Sequence, residues 1–216
     1  MRFAIRGEEK MKKAIIAISI IIVSALVVVV FIGINKNKRE EELLANSKST
    51  FRGLPVISLQ SSYTFDVDNP NELVGNADYC FLAKVISEDE TRYEDIGVSV
   101  SVVHPYTIYT VKVIENVKGK LDTDKEIIVK KSGGLLKSPK AYQLYEDDEL
   151  LGVGKEYFIC VKADSKGELL MSGKNSSVFV SEGNEKENIE KYRAAYEKQV
   201  VIKRDKHKIK ESKVYK

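Results

Sequence analysis

The chain is poor in the side chains that do chemistry. His104 and His207 are its only histidines, about a hundred residues apart, so a histidine-based metal site or acid–base pair has almost nothing to draw on. His104 stands before Pro105 in an apolar, β-branched run with no partner beside it and reads as a strand-edge side chain rather than a base. Cys80 and Cys160 are too few for a structural zinc site. Each lies inside an apolar run and reads as a buried thiol, with a cross-strand disulfide as the alternative if the domain sits outside the cell. The run Glu146, Asp147, Asp148 and Glu149 supplies carboxylates but lacks the alternating oxygen ligands and central glycine of a calcium loop, and reads as solvated. No cofactor is expected.

Two motif-like pieces dissolve on inspection. Lys131-Ser132-Gly133 resembles the third box of penicillin-recognising enzymes, yet no Ser-x-x-Lys exists to supply the nucleophile, so it reads as a strand end and a glycine turn. Gly167 to Lys174 superficially follows a phosphate loop, but five residues separate the glycines and Asn175 stands where a magnesium-binding hydroxyl belongs. What remains is recognition chemistry. Tyr106, Tyr109, Tyr142 and Tyr145, with Tyr157, combine large contact area with a polar tip. Residues 203–216 carry Lys203, Arg204, Lys206, Lys208 and Lys210 among seven basic residues; this stretch reads as a disordered tail, solvated or meeting an anionic envelope polymer or lipid headgroups.

The elements that must position these groups begin with residues 14–34, twenty-one residues without a charge. As a helix they span roughly 31 Å, close to the hydrocarbon thickness of a bilayer. No small-residue cleavage site and no lipid-modifiable cysteine follow, so the segment is expected to be a retained signal anchor, with Met11 as an alternative start. Five basic residues precede the span and Lys36, Lys38 and Arg39 follow it, which favours a cytoplasmic N-terminus at residues 1–13 and a C-terminal portion outside. With 35 basic and 32 acidic residues the formal charge is +3, too balanced for a nucleic-acid binder.

Residues 35–76 read as a charged spacer and a lead-in segment laid over the domain, with a short helix opening at Asn69-Pro70. From Ala77 β-branched and aromatic residues recur with period two. Runs at 77–88, 98–117, 126–132, 155–163 and 169–172, with a sixth at 177–181, predict strands, and Pro105 places the start of the second on an edge or at a bulge. Residues 164–167 have the length and glycine content of a hairpin turn, and 135–154 read as a long loop. Ile189, Tyr192, Ala195, Tyr196 and Gln199 make an amphipathic stripe within a helix over 184–199 that packs on the strands or covers a sheet edge.

The succession Asp78-Tyr79-Cys80-Phe81-Leu82-Ala83-Lys84-Val85, Tyr109 to Gly119, Ile127 to Gly134 and Gly154 to Ile159 resembles the bacterial relatives of the netrin and tissue-inhibitor-of-metalloproteinase domain. The resemblance covers residues 77–172. It implies an OB-type fold used for interaction, and the zinc-binding N-terminal cysteine of the animal inhibitors has no counterpart here, since Cys80 is mid-chain. The expected architecture is mainly β. One transmembrane helix precedes a five- to six-stranded OB-like Greek-key barrel over 77–183, followed by an amphipathic helix over 184–202 and the basic tail over 203–216. The expected function is a single-pass, membrane-anchored, extracytoplasmic and non-enzymatic binding module for a protein or anionic polymer. The alternatives are a structural subunit of a membrane complex, or a hydrolase using the acidic loop 146–149.

Overall fold

A computed structural model describes residues 22, 24, 26–38, 40–42, 44, 45, 47, 49–95, 103–181 and 183–216. The chain divides into two compact units, Met1–Asn46 and Ser47–Lys216. In the first, residues 26–38 are helical, and the side chains of Leu26 to Ile32 and of Ile34 are exposed. Among the described residues no helix is long and apolar enough to cross a membrane, and most of the 14–34 span lies outside them.

The second unit is mainly β and holds two sheets. The larger is built on two long antiparallel strands, β3 (Tyr79–Asp95) and β4 (Val103–Lys118). Four register irregularities along their ladder bend the pair, as extra residues in one strand do. β5 (Glu126–Ser132) continues from β4, β8 (Glu156–Ala163) lies on the other side of β3, and β10 (Ser177–Val180) borders β8. The three-residue strand β9 (Leu169–Met171) pairs parallel with β5 and antiparallel with β8. The turn expected at 164–167 makes the β8–β9 hairpin, with the Gly167 N–H donating to the Asp164 carbonyl at a φ of +77°. Pro105 lies beyond the β5 ladder, which starts at Thr107, so its missing N–H costs that ladder nothing.

Period-two alternation decides which side chains meet. Phe81, Ala83 and Val85 of β3, Tyr109, Val111 and Val113 of β4, Ile127 and Val129 of β5, and Ile159 and Val161 of β8 share one core. The intervening Cys80, Leu82, Phe158 and Cys160 face a second core on the opposite side. Two helices cover that side. α1 (Pro70–Asn76) starts as Asn69-Pro70 predicts, the Asn69 side chain accepting the Asn71 N–H at 3.0 Å. α2 (Glu185–Glu197) stacks Tyr192 on Phe158 with ring centroids 3.6 Å apart. The amphipathic helix therefore covers a sheet face, and burial on both faces explains the unbroken apolar runs of β3 and β8.

The smaller sheet is a departure from the sequence reading. β1 (Ser49–Phe51), β2 (Leu54–Leu59), β7 (Tyr142–Tyr145) and β6 (Gly134–Leu135) lie in the order β1-β2-β7-β6, with β2 and β7 parallel. The lead-in segment and the loop over 135–154 thus complete each other's ladders and bury Val56, Tyr142, Leu144 and Leu150. The tail is also corrected. Residues 203–216 return to the larger sheet: the Lys210 N–H donates to the Gly167 carbonyl, Ile209 packs on the first core, Val214 of the short helix α3 (Glu211–Val214) is fully buried, and Tyr215 bridges Ile127. Scattered apolar residues and backbone pairing outweigh the solvation of the lysines, whose heads stay in water.

Candidate functional site

Outward-facing residues of the β8–β9 hairpin form one wall of a half-open cavity of about 430 Å³. Cys160 and Lys162 reach it from β8 and Leu170 from β9, Lys162 and Leu170 being ladder partners. The opposite wall is an irregular strap, residues 60–65, which enters no ladder, and Leu73, Asn76 and Ala77 close one end. The strap is pinned by Tyr63, whose hydroxyl accepts the Lys174 N–H at 2.8 Å. Its ring fits because residue 173 is glycine: a Cβ there would stand 2.4 Å from the Tyr63 oxygen. Gln60, Ser61, Ser62, Thr64, Ser172 and Ser176 give the cavity a polar rim, and Phe65 and Leu170 an apolar floor. The size lies within the range of small-molecule sites.

The charge inside is Lys162. Its ammonium lies 5.6 Å from the centre of the Phe65 ring and, among the described residues, has no carboxylate partner. Burial lowers its pKa from the ordinary lysine value, the nearby Arg204 adds to that, and Asp78 partly opposes it. Arg204 itself is engaged, 2.7 Å from Asp78 and donating to the Asn76 carbonyl.

A second cluster surrounds His104. The histidine lies in the part of β4 beyond the β5 ladder, as its place before Pro105 suggests, but its side chain is buried, and its ring contacts Tyr106 edge-on at 4.8 Å and Tyr145 at 6.1 Å. The Gln143 amide donates to Nδ1 at 3.0 Å, which leaves the ring proton on Nε2, and Nε2–H donates to Ser132 Oγ at 2.7 Å. Beside it the Lys130 ammonium is held by Asp164 at 2.6 Å, Glu168 at 3.0 Å and Glu94 at 3.1 Å, and lies over the Tyr106 ring. Burial works against its charge, but the hydrogen bonds from Asp164 and Glu168 outweigh it and raise the pKa.

The acidic loop is split. Asp148 is buried and paired with the fully buried Lys131 at 2.5 Å, while Ser176 and Ser177 accept the remaining ammonium protons. Burial raises the Asp148 pKa and lowers that of Lys131, each opposed by the other's charge. Glu146, Asp147 and Glu149 are exposed along a second half-open cavity shared with Ser49, Thr50 and Phe51. Among the described residues no three His, Cys, Asp or Glu side chains are placed to hold a metal ion.

The structure separates the tyrosines named as contacts. Tyr109 is wholly buried, its hydroxyl accepting the Leu151 N–H at 3.1 Å, and Tyr142 is buried edge-on against Phe51. Tyr157 is likewise buried and accepts the Gly152 N–H. Tyr106 and Tyr145 are half-buried, and Tyr145 lines the cavity beside Lys162. Lys203, Lys206, Lys208 and Lys210 are exposed, whereas Arg204 is committed to Asp78. Lys162 and Tyr63 escaped the sequence reading. The signal for Lys162 was its place in 155–163, two residues beyond Cys160 on the same strand face. No protein-family model matches the chain, and no curated protein is significantly similar to it.

Proposed function

We propose that this chain is a single-pass, membrane-anchored, extracytoplasmic binding module without enzymatic activity, built on an OB-like Greek-key barrel of the netrin and metalloproteinase-inhibitor type. The barrel reading is supported by the pairing sequence β8-β3-β4-β5-β9, which returns to β8 through the second ladder of β9. The anchor reading is supported by the charge-free composition of residues 14–34 and the exposed apolar side chains of the helical residues 26–34. A binding role rests above all on the cavity beside Lys162, a concave site whose cation and whose hydroxyls on Ser61, Ser62, Thr64 and Ser172 have no hydrogen-bond partner among the described residues. The acidic loop offers no second activity of comparable support, because its buried member is consumed by Lys131.

Fractionation of cells carrying the full chain with a C-terminal tag tests the placement. The expected result is a membrane pellet that resists alkaline carbonate, with the tag digested by protease added to intact cells. A chain recovered in the soluble fraction overturns the anchor, and a tag protected on intact cells overturns the orientation. Binding is tested with a photo-crosslinking residue at Ser62. One specific envelope component is expected to be captured, and capture is expected to fall in the Leu170→Trp variant, which fills the cavity.

A further inference from the structure

Most buried and half-buried cations in this domain come with anions. Lys130 has three carboxylates, Lys131 has Asp148, Arg204 has Asp78 and Lys174 has Asp68. Lys118, which burial also disfavours, donates to the carbonyls of Val74 and Gly75. Lys162 departs from this pattern: it is half-buried in a cavity wall and, among the described residues, has neither a carboxylate nor a carbonyl within hydrogen-bonding reach. Desolvating a charge without a partner is costly, so the position gains most from an anion supplied by a ligand.

The surroundings define that anion. Ser61, Ser62, Thr64 and Ser172 line the same cavity and make no hydrogen bond to the protein among the described residues, leaving hydroxyl protons free to donate to an oxyanion. The charge count favours a monoanion. Arg204 is spent on Asp78 and on the Asn76 carbonyl, so one lysine faces the space, and a dianionic phosphate would keep a surplus charge out of water. Phe65 and Leu170 supply an apolar surface for the rest of the molecule, and 430 Å³ accommodates on the order of a dozen non-hydrogen atoms.

We propose that the cavity between the strap 60–65 and the β8–β9 hairpin binds a small monocarboxylate with an apolar body, its carboxylate on Lys162 and the strap hydroxyls and its body against Phe65 and Leu170. This rests on the binding reading above and names the ligand class of that site. The chemistry is shared by a short acyl carboxylate and by the C-terminus of a peptide ending in an apolar residue.

Equilibrium dialysis of the full chain in nanodiscs, corrected with empty nanodiscs, separates these sources with hexanoate as one probe and N-acetyl-leucine as the other. Hexanamide and hexyl phosphate serve as the uncharged and dianionic comparisons. At least one carboxylate is expected to bind saturably and about tenfold or more tighter than hexanamide, the gain of one charge-assisted hydrogen-bonded contact. The Lys162→Met variant is expected to lose that tenfold preference while still taking up hexanamide, Lys162→Arg to keep it, and Leu170→Trp to exclude every probe. Equal binding of hexanoate and hexanamide overturns the ligand class, as does tighter binding of hexyl phosphate. Saturable binding of neither carboxylate overturns the proposal as a whole, while crosslinking at Ser62 reports independently on the module's larger partner.

Discussion

Cys80 and Cys160 face each other across β3 and β8 as register partners, their sulfurs 2.9 Å apart. The Cys160 N–H donates to the Ser176 carbonyl, away from β3, so the two cysteines form a non-hydrogen-bonded pair, the arrangement that brings opposed side chains closest. Burial pushes the Cys160 thiol well above its ordinary pKa, which slows attack on an oxidant. Prolonged exposure to oxidised glutathione is expected to join the sulfurs, the protein losing two hydrogens as one glutathione disulfide becomes two thiols. Intact mass measures this loss. Closing an 80-residue loop should raise the thermal midpoint by roughly 10 °C relative to the reduced form. Two thiols still alkylatable after denaturation would refute the pairing.

Lys131 and Asp148 are buried together, so removing one leaves the other's charge stranded. Lys131→Met or Asp148→Leu alone is expected to cost about 3–5 kcal/mol in urea unfolding, and the double variant much less than the sum. Additive losses would show that the two side chains act independently.

His104 should carry a pH signature. Burial lowers its pKa below 6.5, with Glu94 opposing, so the unfolded chain binds a proton more readily than the folded one. Its contribution is complete above about pH 6.5 and is lost as pH falls from there through the folded pKa, by at most about 1.4 kcal/mol per pH unit. Chemical denaturation of wild type and His104→Gln at falling pH should give a shallower decline in the variant below about pH 6.5. Identical slopes would place the imidazole in water.

Gly75 abuts the chain that follows α2. A Cβ at this position would stand 2.0 Å from the Val200 carbonyl oxygen, and the Val200 N–H is already bonded to the Asn71 carbonyl. Gly75→Ala is expected to lower stability by about 1–3 kcal/mol, because backbone rather than a side-chain end must give way. Gly154→Ala is the control for left-handed backbone in open space.

The longer strands of the larger sheet were legible by alternation, and β9 and β10, of three and four residues, as short apolar runs: the predicted run at 126–132 is β5 itself, and that at 155–163 overruns β8 by one residue. The smaller sheet was not. Its strands have two to six residues, β2 contains Pro55, and the ladder joining β2 to β7 is parallel between segments more than eighty residues apart, which no local turn announces. The tail misled for a related reason. Ile209 and Val214 are single apolar residues in a basic run, and periodicity has nothing to count. Among the tyrosines, Tyr109 shares its strand face with Val111 and Val113, so its burial could be read from alternation. That Lys162 lacks an anion could not, because the strap comes from a hundred residues upstream.

The strap has another consequence. Residues 60–65 enter no ladder and, among the described residues, are held to the hairpin side by the Tyr63 hydroxyl and by Phe65 packed on the second core, so they can move while both sheets keep their pairing. Deuterium uptake at these amides should outpace that of β3 and β8, and Tyr63→Phe should quicken it further. The doorway to the cavity then operates on a faster clock than the fold that surrounds it.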